Sequence, residues 1–452
     1  MSDLRDQAVN QAGRRPLDRT VNVTRSKADG FGRLDPLEKG IALALCAYLA
    51  APLFDVPFIG LSYSSPLVGL LVLVLYMRGG GFHFVGMKGL VFLLFIMFAG
   101  IGAGLFYREL SGPGLPNYGK AVKFWMLFGY WMSCCLLACH YFAFTSLPSR
   151  AAHWLAVAVV VMAIFIILEF FAFGGLHKNG WSRLTAMSQN MYGWQFSTFL
   201  PFVYVPLVQK LKRHRLGWYI GVGFCLVAVV ILSSRSAWAT TVFGIGLFGL
   251  LYAVVSGHLR SVLTVYILAA IVAGGTLYLV PEEIKGRITE DANSMEDLEN
   301  DKSWQGRVVL VRKGLALFEE NPVFGTGLGQ FTVSDAAVEM PEVFQGRDIS
   351  DFRGTSPHNS YISLLAEGGL AWAVPFAAME FWLITAGIFA AMRLARQGEF
   401  WGIALVVGLI GMCIHFWSIS NLTGTAPWFV FGAVAGMIYR TKRWQDRRFL
   451  GR

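Results

Sequence analysis

Charge is scarce in this chain. Asp, Glu, Lys and Arg supply 15% of its 452 residues, against 55% that are hydrophobic. The mean hydropathy is +0.53. A soluble protein of this length has no way to hide so much apolar surface, which excludes that class. Short segments of alternating hydrophobicity are also missing, which excludes a membrane β-barrel. No cleavable signal peptide is expected: residues 1–39 are polar, mixed in charge and nearly without periodicity, and read as a disordered tail. No internal repeat is evident. The six cysteines (Cys46, Cys134, Cys135, Cys139, Cys225 and Cys413) all lie in apolar stretches. They have neither zinc-site spacing nor the polar setting of a disulfide framework, so they read as small core hydrophobes.

What remains is oil-seeking. Apolar stretches of roughly 18–25 residues recur, long enough to cross a hydrocarbon core of about 30 Å. Helices are the default for such spans because each satisfies its own backbone. Hydropathy predicts an all-α polytopic membrane protein with about twelve spans. They lie near 38–53, 57–77, 84–106, 121–146, 151–175, 191–209, 217–233, 237–256, 261–280, 361–392, 401–420 and 424–440. The expected organisation is a cytoplasmic tail (1–39), a transmembrane bundle (40–280), one large outer loop (281–360), further spans (361–440) and a second cytoplasmic tail (441–452). Gly368, Gly369 and Pro375 predict a kink in the run after Tyr361.

The positive-inside rule agrees with this count. With the N-terminus inside, the inner loops carry Arg78, Lys88, Arg150, Lys210, Lys212, Arg213, Arg215, Arg260, Arg393 and Arg396. The C-terminal tail adds Lys442, Arg443, Arg447, Arg448 and Arg452. The net charge of +10 therefore sits at span ends and in tails, and is no nucleic-acid signature. The outer face receives the loops near 107–120, 177–190 and 281–360 and the tight turn near 234–236. In the large loop, Trp304, Val308, Val311, Leu315 and Phe318 make an apolar stripe at helical spacing, either against the outer leaflet or over a cavity. Asn321-Pro322 ends that helix, and Gly325-Thr326-Gly327-Leu328-Gly329 follows as a flexible turn.

Chemistry has few candidate residues. His358, in Pro357-His358-Asn359, suits a general base near neutral pH; a helix-start histidine in a hydrogen-bonding role is the plainer reading. Asn359 or Ser360 is placed to cap the helix that follows, and its N-terminus would favour an anion. Glu367, inside the next span, is a candidate buried partner or a structural carboxylate. Arg183 sits in an outer loop and Arg235 in a turn too tight for an ordinary loop. Each reads as a diphosphate-binding fork or as a snorkelling interface residue. Arg307, Arg312, Arg347 and Arg353 share the large loop. The run Glu296-Asp297-Leu298-Glu299-Asn300-Asp301 has acid-x-acid spacing but sits in a polar low-complexity stretch, so no metal site is assigned.

Several of these motifs occur in order. Ser234-Arg235-Ser236-Ala237-Trp238 comes first, then Arg307 before the amphipathic helix. Asn321-Pro322-Val323-Phe324-Gly325-Thr326-Gly327-Leu328-Gly329-Gln330-Phe331 follows, then Pro357-His358-Asn359-Ser360-Tyr361 and Leu364-Leu365-Ala366-Glu367-Gly368-Gly369. Over about 235–370 the chain resembles the bacterial O-antigen ligase and polymerase superfamily. The resemblance implies a GT-C-like fold and a metal-independent, inverting glycosyltransferase without cofactor, working on the periplasmic side of the inner membrane. Its donor would be a glycan on undecaprenyl diphosphate. Its acceptor would be another lipid-linked repeat unit, for a polymerase of O-antigen or exopolysaccharide, or lipid A–core, for a ligase. His358 matches the family's base. Arg235, Arg183 and Arg307 match donor-diphosphate positions, with Asn359 and Glu367 in support. Ser236 replaces the commoner glycine of the Ser-Arg-Gly turn, and the usual glycine after Arg183 is missing. A transporter or flippase, and a receptor or scaffold, are the alternatives of other classes. Carriers place charge inside spans at the midplane, whereas these candidates gather at one interface.

Overall fold

The computed structural model describes residues 87–111, 114–144, 148–173, 189–209, 215–232, 234–260, 263, 267, 302–420, 422 and 424–450. Eleven α-helices and two short 3-10 turns make up the described part, and no strand occurs among the described residues. The helices are α1 (Lys88–Ser111), α2 (Tyr118–Phe144), α3 (Pro148–Phe173), α4 (Gln189–Phe199), α5 (Pro201–Val208), α6 (Arg215–Ile231), α7 (Arg235–Ser256), α8 (Lys302–Glu320), α9 (Ser360–Ala395), α10 (Trp401–His415) and α11 (Thr425–Leu450). Five of them, α1, α2, α3, α7 and α9, are long and apolar enough to cross a membrane, with α6 and α10 as shorter apolar helices. Large apolar side chains such as Phe92, Phe95, Phe171, Val242 and Phe381 point out of the bundle. That exposure suits a lipid surround and no aqueous one. The chain is an all-α, multi-pass membrane protein.

The expected spans near 38–53 and 57–77, the tail 1–39 and most of 261–280 lie outside the described residues, as do Cys46 and the acidic run 296–301. The expected span 191–209 is two helices, because Pro201 follows Leu200 and its missing N–H interrupts the ladder. The last helix continues past the expected 440 to Leu450. The kink expected after Tyr361 is present, but it falls at Gly369 (φ 57, ψ −161); Pro375 is carried inside the helix.

The core is tightest between α2 and α11, the most extensive helix pair. A Cβ at Gly432 or Gly436 would strike the carbonyl oxygens of Cys135 and Cys139. Small residues here let two backbones approach, which drives helix association where lipid removes the hydrophobic term. Phe128 meets Trp372 and Trp428 edge-on, at 5.4 and 5.1 Å between ring centroids, tying α2 to α9 and α11. The described cysteines are all buried and form no disulfide with one another, as small core hydrophobes.

α8 confirms the helix expected in the large loop, but not its buried face. Leu310, Lys313, Gly314 and Leu317 face inward, while Trp304 and Leu315 are exposed. The spacing alone offers two apolar faces. The helix buries the one carrying Gly314, which lets α8 come close to Ile362 of α9.

Candidate functional site

Several helix ends converge at one end of the bundle. The end of α1, the starts of α2, α7 and α9, and the end of α10 meet there through specific bonds. Arg108 Nη1 donates to the Gly325 carbonyl at 3.3 Å. The Asn117 backbone pairs with the Gln330 side-chain amide: the Asn117 N–H donates to Gln330 Oε1 and Gln330 Nε2 donates to the Asn117 carbonyl, both at 2.9 Å. Thr240 Oγ1 and His415 Nε2 are 3.0 Å apart, joining α7 to α10. The loop 321–332 lies across this end.

That loop docks into the break in α9. The Thr326 and Gly327 amides donate to the Ala366 and Glu367 carbonyls at 2.8 and 2.9 Å. Beyond the break, the Leu370 and Ala371 amides donate to the Pro322 and Val323 carbonyls at 2.8 and 2.9 Å. The kink releases backbone groups from the helical ladder, and the loop satisfies them, as buried polar groups require. Two glycines make this possible. Gly325 (φ 66) and Gly369 (φ 57) adopt left-handed backbone, and a Cβ on either would come within 2.5 Å of the partner backbone. The glycine-rich motif is thus a clasp, not a free hinge.

His358 occupies the turn that enters α9. Its φ of 48 makes it the only non-glycine among the described residues in left-handed backbone. Such a conformation persists only where the surroundings over-determine it. Here Pro357 is buried on one side and Asn359 on the other. Asn359 Oδ1 caps α9 by accepting from the Tyr361 and Ile362 amides at 3.0 and 3.1 Å. The Asn359 amide donates to Ser420 Oγ at 3.2 Å, and the Ser360 amide and hydroxyl donate to the Phe416 and Ile419 carbonyls. The turn is therefore pinned to the segment after α10. The expected anion at this helix N-terminus is not supported. The amides of Ser360, Tyr361, Ile362 and Ser363 all have partners within the chain.

His358 as a residue is solvent-accessible, with its imidazole partly enclosed. Its pKa lies below the ordinary histidine value, first because partial burial disfavours the cation and second because Arg307 places a positive charge nearby. The shift favours the neutral ring, which has a lone pair to accept a proton. Arg307, on α8, is itself exposed.

The other expected residues separate. Arg235 opens α7, but the placement of its side chain, like the whole of Arg183, lies outside the described residues. Their neighbours are described. Ser234 Oγ donates to Asn190 Oδ1 at 3.3 Å and lies 3.2 Å from Ser236 Oγ. The Arg235 turn therefore sits beside the segment that follows Arg183, and Ser236 serves as a hydrogen-bonding partner in place of a glycine. Glu367 is buried and makes no hydrogen bond to His358. Its Oε1 accepts the Phe331 amide at 3.0 Å instead.

A cavity of about 200 Å³ opens beside the His358 turn, lined by Pro357 and Ser360 on either side of it. Lys120, Thr332, Ser356, Glu367 and Trp372 also face it. Sequence reasoning missed Lys120, Thr332 and Trp372. The one available signal was a lysine at the start of an apolar span, which reads equally as an interface anchor.

Residues 220–377 match the family model described as O-antigen ligase. The match supports the O-antigen ligase and polymerase superfamily that the ordered motifs resemble. No curated protein matches the chain.

Proposed function

We propose that the protein is a membrane glycosyltransferase moving an oligosaccharide from undecaprenyl diphosphate to an acceptor sugar at the periplasmic face. The observation that carries this reading is His358. It is an imidazole held in a pinned, left-handed turn beside a hydroxyl-lined cavity, with partial burial and Arg307 both lowering its pKa.

In this reading His358 takes the proton from the acceptor hydroxyl as its oxygen forms the new bond to the anomeric carbon. The bond from that carbon to the diphosphate oxygen breaks, and undecaprenyl diphosphate leaves with the electron pair. Backside attack inverts the anomeric centre. Arg235, Arg183 and Arg307 neutralise the departing diphosphate, with no metal assigned to that task. Asn359 fixes the turn and Glu367 holds the loop. The fold is GT-C-like with about twelve spans, and both termini are in the cytoplasm.

We assign the primary activity as polymerisation of O-antigen or exopolysaccharide repeat units. The description of the matched family favours a second reading, in which the acceptor is lipid A–core. A deletion strain complemented with wild type or His358→Ala separates these by the length of its surface glycan on a gel. Single repeat units in the deletion strain, not lengthened by His358→Ala, indicate the polymerase. Loss of glycan from lipid A–core while long lipid-linked chains accumulate indicates the ligase. Normal glycan from the His358→Ala strain overturns the mechanism.

A further inference from the structure

The cavity beside the His358 turn has chemistry that the transfer step does not use. Its polar wall holds an unusual combination. Lys120 Nζ donates to Thr332 Oγ1 at 2.7 Å, which occupies one of the three donors of an ammonium and leaves two. Ser356 faces the cavity with no hydrogen bond inside the chain. Trp372 lines it too, and its indole N–H is buried without a hydrogen-bond partner in the chain. Buried donors of this kind are ordinarily satisfied.

Size and charge narrow the ligand. About 200 Å³ is below the roughly 300–1,000 Å³ of pockets for drug-sized molecules, so one ring fits and a chain does not. Glu367 stands in the same wall as Lys120, so the wall pairs an acidic side chain with the ammonium and is not the all-cationic one that a phosphate favours. A neutral polyol gains from both, donating to the Glu367 carboxyl group and accepting from the ammonium. The rings of Phe124 and Trp372 offer apolar surface to the face of such a ring. An acyl chain would leave Ser356 without a partner and Lys120 with Thr332 alone.

We infer that this cavity is a saccharide subsite holding one sugar ring of a substrate, bound by Lys120, Ser356 and Glu367 and packed against Trp372. The choice of a saccharide rests on the transferase reading as well as on this chemistry. The subsite lies next to the turn that carries His358.

Saturation-transfer NMR on the solubilised full-length protein tests it without turnover. The first probe is the oligosaccharide freed by mild acid from the lipid-linked pool of the producing cells. The second is the oligosaccharide released from their lipid A–core. Saturation concentrated on one ring of either probe is expected. The probe that responds tells whether the ring belongs to the repeat unit or to the core acceptor. Ser356→Trp, which fills the cavity from an irregular loop, should abolish the signal. Lys120→Met should weaken binding at least tenfold, while Lys123→Met, an exposed lysine on the same helix, leaves it unchanged. Elution as a monodisperse peak verifies that each variant folds. No saturation with either probe, or equal binding by wild type, Ser356→Trp and Lys120→Met, overturns the subsite. Cavity-dependent binding together with normal glycan in the His358→Ala strain upholds the subsite and removes the transferase mechanism.

Discussion

Glu367 Oε1 accepts the backbone N–H of Phe331 at 3.0 Å, across 36 residues of sequence and next to the break in α9. The bond holds the glycine-rich loop over the helix that begins at the His358 turn. Removing the acceptor leaves a buried amide unpaired, at a cost of about 1–3 kcal/mol. Glu367→Ala should therefore lower the melting temperature of the detergent-solubilised protein. Glu367→Gln, which keeps a carbonyl oxygen in place, should fall between the two. Equal melting of all three would show that the bond does not hold the loop.

The clasp between loop and helix predicts a second effect, at Gly369. Its φ of 57 and the 2.5 Å approach of an added Cβ to the Val323 carbonyl oxygen leave no room for a side chain. Left-handed strain alone is worth about 1–3 kcal/mol, and the clash adds to it. Gly369→Ala should lower the melting temperature and reduce glycan transfer together, because the loop it displaces forms one wall of the cavity. Gly346→Ala tests strain without contact, since its φ of 84 has nothing within 4 Å of an added Cβ. It should melt much closer to wild type. A Gly369→Ala protein as stable as Gly346→Ala would refute the clasp.

Much of this was legible in the sequence for a simple reason. Long apolar runs and helix-breaking residues are local signals, so the spans of α1, α2, α3, α7 and α9 and the kink in α9 can be read directly. The cap by Asn359 is local as well. The buried face of α8 was not legible. Trp304, Val308, Val311, Leu315 and Phe318 outnumber the face that α9 covers, and only tertiary contact with Ile362 decides between them. The partners of Glu367, Lys120 and Trp372 were hidden for the same reason: each lies on an element far away in the sequence. The family resemblance was legible only through motif order, since neither hydropathy nor charge separates Arg235 from a snorkelling arginine.

His358 and Arg307 make the pH dependence of transfer specific. With its pKa lowered by partial burial and by Arg307, His358 stays a free base to below the ordinary value of about 6.5. The acid limb of kcat/KM should therefore lie below that value. Arg307→Gln removes a positive charge, protonation becomes easier, and the limb should move to higher pH. It should not pass the ordinary value, because burial, the larger cause, remains. The same variant should raise KM for the lipid-linked donor if Arg307 also meets the diphosphate. An acid limb unmoved by Arg307→Gln would place the titration on another group.

Lys313 predicts a gain in stability. It is fully buried on α8, its ammonium lies 5.0 Å from the centre of the Phe331 ring, and it has no hydrogen-bond partner. Its pKa is lowered by burial, with Asp335 opposing and Arg353 adding to the shift. A lysine whose folded pKa is below its unfolded value of about 10.4 penalises the native state while protonated, and the ring attraction offsets only part of this. The penalty is full below the folded pKa and fades as pH rises from there towards the unfolded value. Lys313→Met keeps an unbranched apolar stem and removes the charge. It should melt higher than wild type at pH 7, and the gap should narrow at pH 10. A variant that melts lower at pH 7 would mean that the ammonium on Phe331 is a net support of the loop, and that the cavity wall depends on it.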